Sequence, residues 1–322
     1  MVHTLLYTSL MLAWSATVSA QILDVRELNT EQIGRFDRAR TVVLLTAGIL
    51  EEHGPYLPSS SDGYQSEFVA ARVADAIAAR SGWTVLRFPE IPLGAFPANY
   101  VGGKYVFSGS YPVRMTTLRA VFMDLATDLG EAGFKWVFVV TMHGGPTHNQ
   151  ALDQAARYFN EMYGGRMVHV TGFSSVVGAV PPDLFTNEQR AAEGFSIHAD
   201  ADEHSCLLFL RPNLVAPGIR SAPAVVSRDF AELVATARKP EWTGYFGTPA
   251  IARPEAGRRA MNAIAQAAVE LVLKVLDGGS AQGPRVADRP TSDPAFRRVI
   301  ESALEHEEQI ERKQAEWLAK QR

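Results

Sequence analysis

Glu51 and His53 stand two residues apart just after the apolar, β-branched run 41–45, and Asp62 follows a stretch rich in turn formers, Gly54, Pro55 and Pro58. Residues two apart in extended backbone point to the same side, so this carboxylate and imidazole can face one cation while Glu52 points away. A turn at the Gly and Pro residues lets Asp62 return toward the pair from a loop. The same residues also suit an N-cap and a surface charge, so the pair alone leaves both readings open. Two further segments carry the same residue types. His143, Gly144 and Gly145 follow the apolar run 136–141, and two glycines behind a histidine let backbone approach a metal, a substrate carbonyl or a neighbouring loop. Thr147, His148 and Asn149 open the next helical pattern, where Thr147 or a neighbour reads as the cap and His148 as a cap-region or surface residue. From His198 to His204, both included, there are five ionisable groups ahead of the apolar run around Cys206. Burying all of them unpaired would cost heavily, so some are solvated or hold cations. In extended backbone His198, Asp200, Asp202 and His204 share one face and Glu203 takes the other.

Positioning these groups requires a scaffold, and the chain alternates β-branched runs with helical patterns, the rhythm of parallel βαβ units. Strands are expected at 41–45, 83–88, 136–141, 167–170 and 205–210, and helices at 66–79, 112–130, 147–163, 255–276 and 294–322. The three chemistry-bearing segments then fall at or beside strand ends, where open α/β sheets bind ligands. The loop 92–111, with Phe96, Tyr100 and Tyr105, is available for pocket walls.

No composition break or repeat divides the chain, so 21–280 reads as one domain, followed over 281–322 by a linker and a charged C-terminal helix. The apolar line of that helix, Phe296, Ile300 and Leu304, is interrupted at Glu307, which fits a solvated helix docked by one face, or an oligomer contact. With 322 residues, 20% charged, and a net charge of −4, the composition speaks against a nucleic-acid binder or a disordered chain. Residues 1–20 read as a secretory signal peptide: 5–18 is largely apolar and uncharged, and Val18 and Ala20 are the small residues before a cut at Gln21. An apolar helix docked on the domain is the alternative. No later run approaches the roughly 20 residues of a membrane span. Export by a general secretory route to the periplasm or medium is therefore expected, with no membrane attachment after processing. Cys206, the only cysteine, admits no internal disulfide and reads as a buried small hydrophobe. No two glycines are spaced two apart, so the dinucleotide-binding turn is missing.

The run Glu51-Glu52-His53-Gly54-Pro55-Tyr56-Leu57-Pro58, with Asp62 nine after His53, resembles the signature of the creatininase family. His143-Gly144-Gly145 resembles that family's Asn-Gly-His-Gly-Gly-Asn segment, and His198 with Glu203 and Ser205 resembles its His-Ala-Gly-Glu-x-Glu-Thr-Ser segment. The resemblance implies an α/β fold, a three-layer α/β/α sandwich with a mostly parallel sheet, often assembled as a homo-oligomer, a hexamer. It implies two divalent metal ions, Zn2+ or Mn2+ with Fe2+ admitted, on a mixed nitrogen and oxygen set. By position, Glu51, Asp62 and His143 would hold one ion, and His53, Asp62 and a further carboxylate the second. His198 matches a family histidine that moves protons. The implied activity is hydrolysis of a cyclic or formyl-type, non-peptide amide C–N bond in a small molecule by a metal-bound hydroxide.

The chain departs from the family at several positions. Creatininase itself has a Glu two after the histidine matched by His143, where this chain has Gly145, so Glu203 becomes the candidate for the missing ligand. Thr141 and Met142 replace Asn and Gly, Asp200 and Ala201 replace Gly and Glu, and His204 replaces Thr. These changes near the expected pocket count against creatinine as the substrate. They also leave open a non-catalytic protein that binds metal or a small molecule on the same fold.

Overall fold

Strand Thr41–Thr46, Thr-Val-Val-Leu-Leu-Thr, has no polar face to offer to water, and all six residues are buried. Such a strand belongs inside a parallel sheet covered on both sides. In the computed structural model, which describes residues 21–288 and 293–321, it is the central strand. The signal-peptide expectation for residues 1–20 lies outside the described residues. Along the chain the elements are β1 (Gln21–Asp24), α1 (Thr30–Gly34), β2 (Thr41–Thr46), α2 (Ser61–Ala78), β3 (Thr84–Arg87), α3 (Met115–Glu131), β4 (Trp136–Val140), α4 (Pro146–Tyr163) and β5 (Arg166–His169). Then follow α5 (Ser174–Val177), α6 (Asn187–Glu193), α7 (Ala201–Leu210), α8 (Phe230–Arg238), α9 (Pro254–Leu276) and α10 (Pro294–Ala319).

The five strands form one sheet in the order β1-β3-β2-β4-β5, and every pairing is parallel. Successive residues of β2 and β4 serve opposite faces. Val42, Leu44, Phe138 and Val140 meet α2, α7 and α9, while Val43, Leu45, Val137 and Val139 meet α3 and α4. The result is the three-layer α/β/α sandwich. From β2 the chain goes to β3 on one side, and from β3 it returns to β4 on the other. The carboxyl ends of β2 and β4 therefore lie side by side where the strand order reverses, the crevice in which such sheets bind ligands.

Several boundaries differ from expectation in ways that matter to the site. Asp62 does not sit on a loop, because α2 begins five residues earlier than its apolar pattern, at Ser61. Residues 205–210 are helical, not a strand. Asp200 accepts from the amides of Asp202 and Glu203, both at 3.0 Å, so it caps α7 with two acids in the first turn, a strong helix start. The apolar run misled because α7 is packed against both α2 and α9. Pro112 precedes α3 rather than opening it, and β1 adds an edge strand that its short, half-exposed sequence did not announce. Cys206 is buried, as expected of a small hydrophobe.

Close approach of α7 and α9 depends on Gly257. A Cβ there would overlap the Ser205 carbonyl and lie 2.6 Å from the Cys206 amide. Helix α10 lies along the loop after β3 and the start of α3. Val299 and Ala303 are buried in a cluster with Phe96, Tyr100 and Trp242. Glu307 is also buried and accepts from the Met115 amide at 2.8 Å. The break in the apolar line is thus part of the docked face.

Two predictions follow from this packing. Gly257→Ala should cost about 1–3 kcal/mol in denaturant unfolding, and a loss below about 0.5 kcal/mol would show that the helices have room to spare. Burial pushes the Glu307 carboxyl up to about 7, against the Met115 amide and Arg114. The folded state therefore holds that proton more tightly than the unfolded chain, and this contribution to stability fades as pH rises from the ordinary carboxylate range to about 7. The Tm of Glu307→Gln should match the parent near pH 5 and exceed it by a few degrees at pH 8; a difference independent of pH would refute this.

Candidate metal centre

The loops after β2 and β4, the first turn of α2 and the start of α7 bring their side chains to one place. Glu51, His53, Asp62 and His143 are all buried. Asp62 sits in the first turn of α2, where the helix N-terminus favours a negative charge. Its Oδ2 lies 3.1 Å from His143 Nδ1 and its Oδ1 3.7 Å from His53 Nε2. Glu51 Oε2 lies 3.5 Å from His143 Nδ1, and Glu203 Oε2 lies 3.8 Å from His53 Nε2. Two groups result, Glu51–Asp62–His143 and His53–Asp62–Glu203, each with ligand atoms within 4.8 Å of one another. Asp62 belongs to both. A third group joins Glu51, His53 and His198.

Hydrogen bonds select the ring nitrogens that face these groups. His143 Nε2 lies 3.1 and 3.2 Å from the carbonyl oxygens of Ala95 and Phe96. Carbonyls only accept, so Nε2 carries the proton and Nδ1 is left for Asp62 and Glu51. In the same way His53 donates from Nδ1 to the Glu51 carbonyl at 3.1 Å. Its Nε2 is buried without a hydrogen-bond partner, between two carboxylates. A backbone carbonyl holding the far nitrogen of a histidine is the usual support of a metal ligand. Metal bonds of about 2.0–2.2 Å at tetrahedral angles put ligand atoms roughly 3.3–3.6 Å apart, close to the separations around His53 and His143. The residues fit a pair of divalent ions.

The electrostatics agree with that fit. Burial pushes Glu51 and Asp62 up, but the neighbouring histidines outweigh it and hold both carboxyls below their ordinary values. Burial alone would lower His143, yet Glu51 and Asp62 raise it to about 9. Glu203, at the cavity edge, is pushed up to about 7 by burial against the pull of His53 and His198. A cation beside it would restore its charge.

His198 belongs to the same cluster. Its Nε2 lies 2.6 Å from the Glu52 carbonyl and 3.2 Å from Glu52 Oε2, and its Nδ1 3.1 Å from Glu51 Oε1. Against the effect of burial, these carboxylates raise it well above the ordinary imidazole value. Glu52, read as pointing away from the pair, is buried and holds His198, which also contacts Glu51. Alternation could not show what Glu52 meets. His148 corrects a second expectation. It is fully buried, edge-on to His143 at 4.9 Å, with Nε2 3.2 Å from Thr141 Oγ1 and Nδ1 accepting from the Ala95 amide at 3.4 Å. Burial, with His143 nearby, keeps it neutral. Its place in the first turn of α4 looks exposed in sequence, but the loop before α3 covers it. That helix has no side-chain cap, Thr147 included; Gly145 precedes Pro146 at its start. A Cβ at Gly145 would meet His143 Nε2 and stand 2.8 Å from the Phe96 carbonyl. Gly145 thus permits close approach to the neighbouring loop, while Gly144 has open space beside it. The first-turn helix geometry also replaces the alternating face at 198–204: Asp202 pairs outward with Arg190, while Glu203 turns to the site.

The chain matches the family described as Creatininase: Creatinine amidohydrolase over residues 26–272. Solved structures similar to it include a tryptophan mutant of creatininase, with a TM-score of 0.59 and 21% identity over 79% of this chain and 98% of that one. A structure named Creatininase Mn has a TM-score of 0.56 and 20% identity over 79% and 98%. A glutamate mutant of creatininase, Zn-Zn type, has a TM-score of 0.56 and 21% identity over 79% and 98%. No curated protein matches the sequence.

Two non-glycine residues among those described have left-handed backbone, Phe96 at φ 61° and Ala199 at φ 46°. Both serve the site. The Phe96 carbonyl accepts from His143, and the Ala199 amide donates to Glu203 Oε2 at 2.5 Å. This conformation costs an L-residue roughly 1–2 kcal/mol, so the surroundings must impose it. Ala199→Gly should therefore be neutral or stabilising in thermal unfolding, against the usual penalty of about 0.5–1 kcal/mol for Ala→Gly. A full penalty at this position would show that the strain is absent.

Proposed function

This chain belongs to the creatininase family, and from that premise we propose that it is a metal-dependent amidohydrolase acting on a non-peptide, cyclic or formyl-type amide C–N bond of a small molecule. The observation that carries the reading is the buried Asp62 common to two three-residue ligand groups. Glu51, Asp62 and His143 would hold one ion and His53, Asp62 and Glu203 the other, with Asp62 bridging. Zn2+ or Mn2+ suits the mixed nitrogen and oxygen donors, and relatives solved as Mn and Zn-Zn forms support that choice. Such ions, when bound, polarise a carbonyl and make water acidic enough to serve as a nucleophile near neutral pH.

The protein's own groups supply the rest. An amide nitrogen leaves only if it is protonated, and His198 is the donor. Glu52 fixes its Nε2, which leaves the proton on Nδ1, toward Glu51, as the one to transfer. The two carbonyls behind His143 and the one behind His53 keep both rings from turning. The same proposal includes export to the periplasm or medium, supported by the apolar run and small residues ahead of Gln21, and assembly into a homo-oligomer such as a hexamer.

Chelation should abolish amide hydrolysis by the mature protein, and added Zn2+ or Mn2+ should restore it with a stoichiometry near two per chain. Asp62→Asn should lose both ions and all measurable turnover. His198→Gln should keep its metal and lose about 100-fold or more in kcat. Full activity in rigorously metal-free protein would sink the proposal. Metal loss in His198→Gln would instead make His198 a ligand with Glu51 and His53.

A further inference from the structure

The cavity over the ligand cluster is far larger than the cluster needs, and a helix beyond the family match helps to enclose it. Its volume is about 710 Å³, and Glu51, Asp62, His143 and Glu203 are among the residues that line it. Its walls also include Val101, Phe195, Ile197, Phe230 and Phe296. Phe195 and Ile197, just before His198, are 39% and 41% exposed, so their apolar surface is open to a ligand. Among the described residues no lysine or arginine lines the cavity. Asp200 and Asp293 line it too, and space of this size with an apolar wall beside the ligand cluster suits a ligand with a polar head and an apolar body.

Phe296 comes from the first turn of α10, whereas the family match ends at residue 272. Its ring lies 4.3 Å from Phe230 and 6.5 Å from Phe96, centroid to centroid. Contacts further along α10 hold it there. Val299 and Ala303 are buried, Tyr105 Oη lies 2.6 Å from Ser302 Oγ, and Tyr105 stacks on His306 at 4.0 Å.

The geometry points to an amide that carries a bulky apolar group of aromatic size, with Phe296 of α10 as a specificity-determining residue. The amide lies at the ligand cluster and the apolar body against Phe296, Phe230, Phe195 and Ile197. This deepens the hydrolytic reading above and rests on it for the chemistry at the amide end. Burying one ring against such walls is worth on the order of 10- to 100-fold in affinity.

The test uses the metal-loaded protein and two neutral probes that resist amide hydrolysis, N-benzylmethanesulfonamide and N-methylmethanesulfonamide, with binding measured by calorimetry. The benzyl probe should bind at least 10-fold more tightly. Phe296→Ala should erase most of that ratio and Phe296→Leu, which preserves the packing of α10, should reduce it about 3-fold, both with parental circular dichroism and metal content. Equal binding of the two probes, or a ratio unchanged in the folded Phe296→Ala protein, overturns the inference. Hydrolysis of N-benzylformamide and N-methylformamide is measured alongside. If neither is cleaved, the hydrolytic reading is weakened while the binding ratio still decides the pocket. If both are cleaved at equal kcat/KM with equal sulfonamide binding, the pocket inference fails and the hydrolytic reading stands.

Discussion

A buried carboxylate has to be paired, and in this protein the pairing of Asp62 organises everything around it. The side chain sits in the first turn of α2 and reaches His143 from the β4 loop and His53 from the β2 loop. Removing Asp62 would leave two buried imidazoles facing each other's carboxylates with no common partner, the costly way to break a buried ionic network. Each ring is also oriented from behind by backbone carbonyls, so the side chains are set before any ion arrives. That preparation lowers the cost of binding and is the usual mark of a metal centre.

The sheet makes the convergence possible. Two adjacent strands end side by side and their chains depart in opposite directions, so loops that are about ninety residues apart in sequence, carrying Glu51 and His143, face one crevice. Helix α7 brings the remaining carboxylate from a third direction, seated against α9 through Gly257. The two left-handed residues, Phe96 and Ala199, lie where the backbone itself must supply a carbonyl to His143 and an amide to Glu203. Strain located at such points is held by the surrounding packing rather than by local preference.

The wall of the cavity has a different origin from its floor. The floor lies within the residues matched to the family, and one wall is built by α10, outside them. A helix with dense surface charge can take that role because its docked face carries Phe296, Val299, Ile300 and Ala303 and one buried carboxyl, Glu307, tied to the Met115 amide. The ligand cluster and this wall are thus built by separate parts of the chain.

The sequence by itself determined the fold class and, through the motifs it shares with a family, pointed to the segments that carry the candidate ligands. Continuous β-branched runs such as 41–46 can be stable only inside a covered parallel sheet, and Glu51, His53, Asp62 and His143 are recognisable by type and spacing. Other features needed the tertiary structure. Whether 205–210 was strand or helix depended on its burial between α2 and α9, since a short apolar run has no period to distinguish them. That Glu52 and His148 are buried supports rather than surface residues depended on what covers them, which is a property of contacts distant in sequence. The place of Glu203 beside His53 followed from the cap at Asp200, which turned an expected extended segment into a helix. Phe296 as a cavity wall followed from the docking of α10, and no local pattern encodes the surface on which a helix will land.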